Sequence, residues 1–144
     1  MPLPWEAPPG EAASPASSSL LVVLATDAPL LPVQCKRLAR RATVGLARAG
    51  GTGHAFSGDL FLAFSTGNHC PPSTKQPVEV RMFPLGQMDP LFDAAADAVE
   101  ESILNALTAA ETMTGRQGHV AYALPLDKLK QVLASYRASP PPRS

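Results

Sequence analysis

Two short runs along the chain are apolar at nearly every position. They are Leu20-Leu21-Val22-Val23-Leu24-Ala25 and Leu60-Phe61-Leu62-Ala63-Phe64. Their length and their valine and phenylalanine content predict strands buried on both faces. A third stretch, Val78-Glu79-Val80-Arg81-Met82-Phe83, alternates apolar with polar residues, the pattern of a half-exposed strand at a sheet edge.

Helical spacing governs the segments between and after these runs. Pro32 suits a first helical turn, and Val33, Leu38, Ala42, Leu46 and Ala49 recur as one stripe up to Gly50-Gly51. Lys36, Arg37, Arg40, Arg41 and Arg48 fall on the other faces of that helix, most simply as a solvated surface. The longest helical signal runs from Met88 to about Met113 and opens on Asp89-Pro90. Leu91, Ala95, Val99, Ile103 and Leu107 line one face, and Asp93, Asp97, Glu100 and Glu101 load the other. His119 to Ala123 reads as short extended structure, and Pro125-Leu126-Asp127 opens a last helix reaching Tyr136.

The order is therefore β-α-β-β-α-α, an α/β layered fold. Strands this apolar need cover on both faces. If the helices cover one, a second sheet must cover the other, from this chain or another. Pro2, Pro4, Pro8, Pro9 and Pro15 crowd the first 18 residues, and Pro140, Pro141 and Pro142 the last few. Proline lacks an amide donor and interrupts regular structure. Residues 1–18 are thus expected to be a disordered leader, 19–137 the folded domain, and 138–144 a disordered tail.

Composition narrows the function. Twelve basic and twelve acidic side chains give a formal charge of zero, which argues against nucleic acid as a partner. No basic n-region precedes the first apolar run, and no stretch approaches a membrane span, so neither secretion nor a membrane is expected. Cys35 and Cys70 make no disulfide framework, which favours a reduced, cytoplasmic setting. His54, His69 and His119 lack paired-ligand spacing, so neither a metal nor another cofactor is expected.

Three features carry candidate chemistry. Ser17-Ser18-Ser19 stands just before the first apolar run, Ser57-Gly58-Asp59 opens the second, and Phe64-Ser65-Thr66-Gly67-Asn68 closes it. If the two strands are neighbours, Ser57 and Asp59 lie near Ser19 and share a face, because side chains alternate. A serine hydroxyl needs a base to attack. A chain beginning at serine has one in its own α-amine, which titrates near ~8. Ser57 and Asp59 would then orient that amine or move its proton. Read alone, Ser-Gly-Asp is equally a turn sequence and Ser17 to Ser19 equally a loop.

The longer strings are more specific. Ser19 through Pro32 (SLLVVLATDAPLLP), Lys36 to Ala42 (KRLARRA) and Ser57 to Thr66 (SGDLFLAFST) resemble the L-aminopeptidase/D-esterase (DmpA-type) family, which includes the β-peptidyl aminopeptidases. The resemblance covers most of residues 19–137. It implies a precursor that cuts itself before a serine or threonine, leaving that residue as the nucleophile. It implies half of a four-layer α/β/β/α sandwich of the DmpA/ornithine acetyltransferase type, and release of N-terminal residues from small peptides, amides or esters through an acyl-enzyme.

Carried over by position, Ser19 matches the nucleophile, and Ser57 and Asp59 match the Ser-Gly-acidic residues that assist it. Ser17 and Ser18 are adjacent rivals. Ser18 also stands where the family more usually has glycine or asparagine. The resemblance implies a long segment before the nucleophile, holding the asparagine and tyrosine that steady the oxyanion, where this sequence has eighteen residues. The expected partner is therefore a separate N-terminal-half chain, or further copies in a homo-oligomer. The contrasting expectation is an inactive, truncated relative serving as an interaction protein.

Overall fold

The computed structural model describes residues 19–138, with side chains as far as Tyr136. The expected leader, residues 1–18, and residues 139–144 of the expected tail lie outside that range. The described chain divides into two compact units, residues 19–103 and 104–138.

In the first unit, β1 (Leu21–Thr26) and β2 (Leu60–Ser65) form the two apolar runs into a parallel pair. The register matches Leu21 with Leu60 and continues to Thr26 with Ser65. Both strands alternate strictly in exposure. Val22, Leu24, Phe61 and Ala63 turn to the helices, while Leu21, Val23, Leu60, Leu62 and Phe64 stay open, Leu21 at 69% exposure. The helices thus cover one face of a sheet whose two faces are both apolar.

The covering helix α1 (Pro32–Ala39) starts at Pro32, and the buried Gln34 side chain reaches back to accept from the Leu31 amide at 3.0 Å. The same side chain donates to the Phe83 carbonyl at 2.8 Å, so no polar atom of Gln34 is buried unpaired. The core gathers Leu30, Cys35 and Leu38 against Met88, Phe92 and Ala95, with Leu24 and Ala63 reaching in from the sheet. Burial there pushes the Cys35 thiol up from its usual range.

The single helix expected over 32–49 is two, α1 and α2 (Ala42–Arg48). The Thr43 hydroxyl donates to the Arg40 carbonyl at 2.7 Å. A continuous helix would offer that carbonyl to the Val44 amide, which bonds Arg41 instead. Next, α2 meets α3 (Asp89–Ala109) at Gly45, where a β-carbon would lie 2.3 Å from the Ala96 carbonyl oxygen. No side chain fits at that contact.

The basic residues of α1 and α2 are also less free than a solvated face implies. Arg48 pairs with Asp97 and, at 3.6 Å, with Glu100. Arg41 and Arg37 lie over the Phe92 ring at 4.3 and 5.3 Å. The acidic face of α3 is part of a helix–helix seam.

Residues 78–83 do not form the expected edge strand. Their alternation is real, but no described strand lies alongside to pair with. The Asn68 side chain supplies the missing partner at one residue. It accepts from the Arg81 amide and donates to the Arg81 carbonyl, both at 2.9 Å. A 3-10 turn, Leu85–Gln87, then leads into α3.

The second unit begins within α3, which ends at Ala109, short of the expected Met113. A small antiparallel hairpin follows, β3 (Met113–Thr114) with β4 (Val120–Ala121). Its turn places Gln117 and Gly118 in the left-handed region. Last comes α4 (Leu126–Ala138), on which Val132, Leu133 and Tyr136 are exposed.

Candidate active site

Two parallel strands in register must start side by side. The match of Leu21 with Leu60 carries back to Leu20 beside Asp59 and Ser19 beside Gly58. The three sequence-selected residues therefore come together at the head of the strand pair. Asp59 is the hinge of the arrangement. One carboxylate oxygen accepts from the Leu20 amide at 2.9 Å, and the other accepts from the Ser57 hydroxyl at 2.7 Å. The Leu60 amide in turn donates to the Leu20 carbonyl at 2.9 Å.

Ser57 and Asp59 do share a face, as expected, and they bond to each other. Their tie to the first strand runs through Leu20, one residue beyond Ser19. Among the described residues, Ser19 makes no hydrogen bond to either. What lies beside the Ser19 hydroxyl is Gly58. A β-carbon built on Gly58 would stand 2.7 Å from Ser19 Oγ.

A cavity of about 760 Å³ opens at this end of the strands. Ser19, Ser57 and Asp59 line it, together with Leu46 of α2, Phe56 of the preceding loop and Ile103 of α3. The loop from Gly50 to Phe56 forms its rim, with Gly50 and Gly53 at positive φ and open space around both. His54 in that rim takes part in a 2.8 Å hydrogen bond with the Thr52 hydroxyl. The ionisable groups lining the cavity are Asp59 and His54, and both oxygens of Asp59 are already engaged. The lining is otherwise mostly apolar.

The far end of the strand pair is built differently. Ser65 there accepts from the Leu30 and Gly67 amides and donates to the Ala28 carbonyl, so its hydroxyl is held on three sides. Among the described residues no group of three or more His, Cys, Asp or Glu side chains could hold a metal ion. No described helix is long and apolar enough to cross a membrane.

Gly58 was not singled out in the sequence, although it sits inside the Ser-Gly-Asp string. A glycine between two polar residues at the mouth of an apolar strand was the available signal.

Residues 2–121 match the model of peptidase family S58. The chain is 44% identical over 125 residues to the beta-peptidyl aminopeptidase BapA of Sphingosinicella microcystinivorans, covering 86% of this chain and 32% of that protein. Among solved structures it is similar to the L-aminopeptidase D-Ala-esterase/amidase of Ochrobactrum anthropi, described as a variant of the Ntn hydrolase fold, with a TM-score of 0.74 and 43% identity over 81% of this chain and 33% of that one. It is similar also to a Burkholderia sp. beta-aminopeptidase, with a TM-score of 0.73 and 47% identity over 80% and 34%. The chain thus spans about a third of the length of these relatives. On the family match and these likenesses, the chain belongs to peptidase family S58.

Proposed function

We propose that this chain is the nucleophile-bearing part of a serine aminopeptidase that releases N-terminal residues from small peptides, amides or esters. The observation that carries the reading is the junction at the strand heads. Ser19 stands two residues before β1, beside Gly58, while Asp59 grips the next backbone amide and the Ser57 hydroxyl.

The chemistry begins with the bond between Ser18 and Ser19. The Ser19 hydroxyl adds to the Ser18 carbonyl carbon, the C–N bond breaks, and an ester forms on Ser19 Oγ. Water hydrolyses that ester and leaves a free α-amine on Ser19. In turnover, the neutral amine takes the hydroxyl proton as Oγ attacks the substrate carbonyl. The leaving amine or alcohol departs protonated, and water then frees the acylated residue. Asp59, fixed to the Leu20 amide, places a negative charge beside the amine, and Ser57 can pass a proton between them.

The sheet's open apolar face supports a place for the chain in one half of an α/β/β/α sandwich. A complementary segment would cover that face and supply oxyanion donors. It corresponds to the length of the relatives that this chain does not match, on the same or a separate polypeptide. The cavity lined by Leu46, Phe56 and Ile103 suits an uncharged, apolar residue at the scissile bond.

The test uses the natively expressed protein with whatever polypeptide accompanies it. Intact mass should show a fragment beginning at Ser19, and the preparation should hydrolyse aminoacyl p-nitroanilides. Ser19→Ala should leave the mass uncut and lower turnover at least about a thousandfold. Unchanged turnover in that variant would remove Ser19 as the nucleophile.

A further inference from the structure

Strand alternation gives the three residues of Ser57-Gly58-Asp59 two different jobs. Ser57 and Asp59 turn inward, on the same side as Phe61 and Ala63. Gly58 shares the open side with Leu60 and Leu62, and Ser19 shares it with Leu21. The register that matches Leu21 with Leu60 then sets Ser19 directly beside Gly58 on that side.

Distances show how closely the two residues depend on each other. A β-carbon on Gly58 would lie 2.7 Å from Ser19 Oγ and 3.7 Å from Ser19 Cβ. The first is far inside van der Waals contact, and the second is ordinary. Among the described residues, it is the Ser19 oxygen that occupies the space a side chain at position 58 would fill. Backbone freedom does not account for this glycine, whose φ lies outside the left-handed region. Gly50 and Gly53 show the opposite case, positive φ with open space around them.

We infer that Gly58 is a positioning residue for the Ser19 hydroxyl, its missing side chain being the seat in which the nucleophilic oxygen rests. The inference rests on the proposed role of Ser19. It completes a division of labour across the strand. Asp59, bonded to Ser57, holds the Leu20 backbone amide from the covered face, and Gly58 fixes the oxygen on the open one. A methyl group here displaces one atom at the end of a single torsion, so the serine can swing to another staggered position. The fold tolerates that swing, and attack geometry does not. A misplacement of about 1 Å costs on the order of a hundredfold in rate.

The deciding experiment is Gly58→Ala in the natively expressed protein. Cleavage before Ser19 and kcat on an aminoacyl p-nitroanilide should both fall about a hundredfold, with KM within about twofold of the unmodified protein. A crystal structure of the variant should show Ser19 Oγ moved to another staggered position. Full kcat, or an oxygen left in place, would overturn the inference. If Gly58→Ala does not fold, the double variant Gly58→Ala with Ser19→Ala should, because the nearest atom then left among the described residues is the Ser19 β-carbon at 3.7 Å. Failure of the double variant would assign the glycine to the backbone and end the proposal. Loss of the nucleophile assignment is a separate result, read from Ser19→Ala alone, and the crystallographic test of the contact stands without it.

Discussion

The two ends of the β1–β2 pair use nearly the same residue types for opposite purposes. At the head, serine, glycine and aspartate surround Ser19. At the tail, Ser65, Gly67 and Asn68 close the strand. Both glycines leave no room for a β-carbon, but what fills the room differs. At Gly67 it is backbone, with the Asp27 carbonyl oxygen at 2.4 Å and the Pro29 nitrogen at 2.6 Å. At Gly58 it is one hydroxyl oxygen on a rotatable bond. The serines differ likewise. Ser65 is bonded to three backbone groups, two in the loop after β1 and one in its own turn, while Ser57 points its hydroxyl at a carboxylate lining the cavity. Residue type alone does not separate a structural knot from a candidate site; the difference here is whether the neighbours are backbone or a movable polar group.

The sharpest test of that contrast is Asp59→Asn. The amide oxygen can still accept from Leu20, so the strand heads stay joined, but the charge beside the amine is gone. Turnover should fall about a hundredfold with the unfolding midpoint little changed. A large loss of stability would instead make the head a second knot. Gly67→Ala should behave in reverse. Its β-carbon meets backbone that must shift, so stability should drop by about 2 kcal/mol in urea unfolding, with kcat per folded molecule unchanged. A smaller effect is expected of Ser65→Ala, about 1 kcal/mol, because the Leu30 amide keeps its bond to the Ala28 carbonyl and Gly67 is only half-buried. If Ser65→Ala slowed turnover more than it lowered stability, the two ends would not be separable.

Much of this was readable in the sequence, for physical reasons. Apolar runs such as LVVLA and LFLAF, short and rich in valine or phenylalanine, mark strands, although one face of each stays open in the described chain. Asp89-Pro90 fixes the start of α3. The family strings then put Ser19, Ser57 and Asp59 in one neighbourhood. The rest depended on contacts that periodicity does not encode. The stripe from Val33 to Ala49 runs unbroken through Arg40 and Arg41, and the break there comes from a Thr43 hydroxyl. The alternation at 78–83 promised a strand, yet a strand needs a neighbour, and Asn68 supplies only one residue's worth. The closeness of Gly58 to the Ser19 hydroxyl is not written in residue type, because it depends on register. A slip of one residue would exchange the faces and set Asp59, not Gly58, beside Ser19.

The same register also fixes when the site can exist. The bond from the Leu20 amide to Asp59 spans 39 positions of sequence. Both strand heads must meet across that intervening chain before the carboxylate, the glycine and the serine are neighbours at all. Closing such a loop has an entropic cost repaid only once the strands pair, so the junction forms no earlier than that pairing. A chain emerging from the ribosome cannot assemble it until β2 has cleared the exit tunnel. Scission before Ser19, if it takes the proposed course, is therefore a timer started by folding, and the appearance of the new amino terminus would report that the long-range contact had formed.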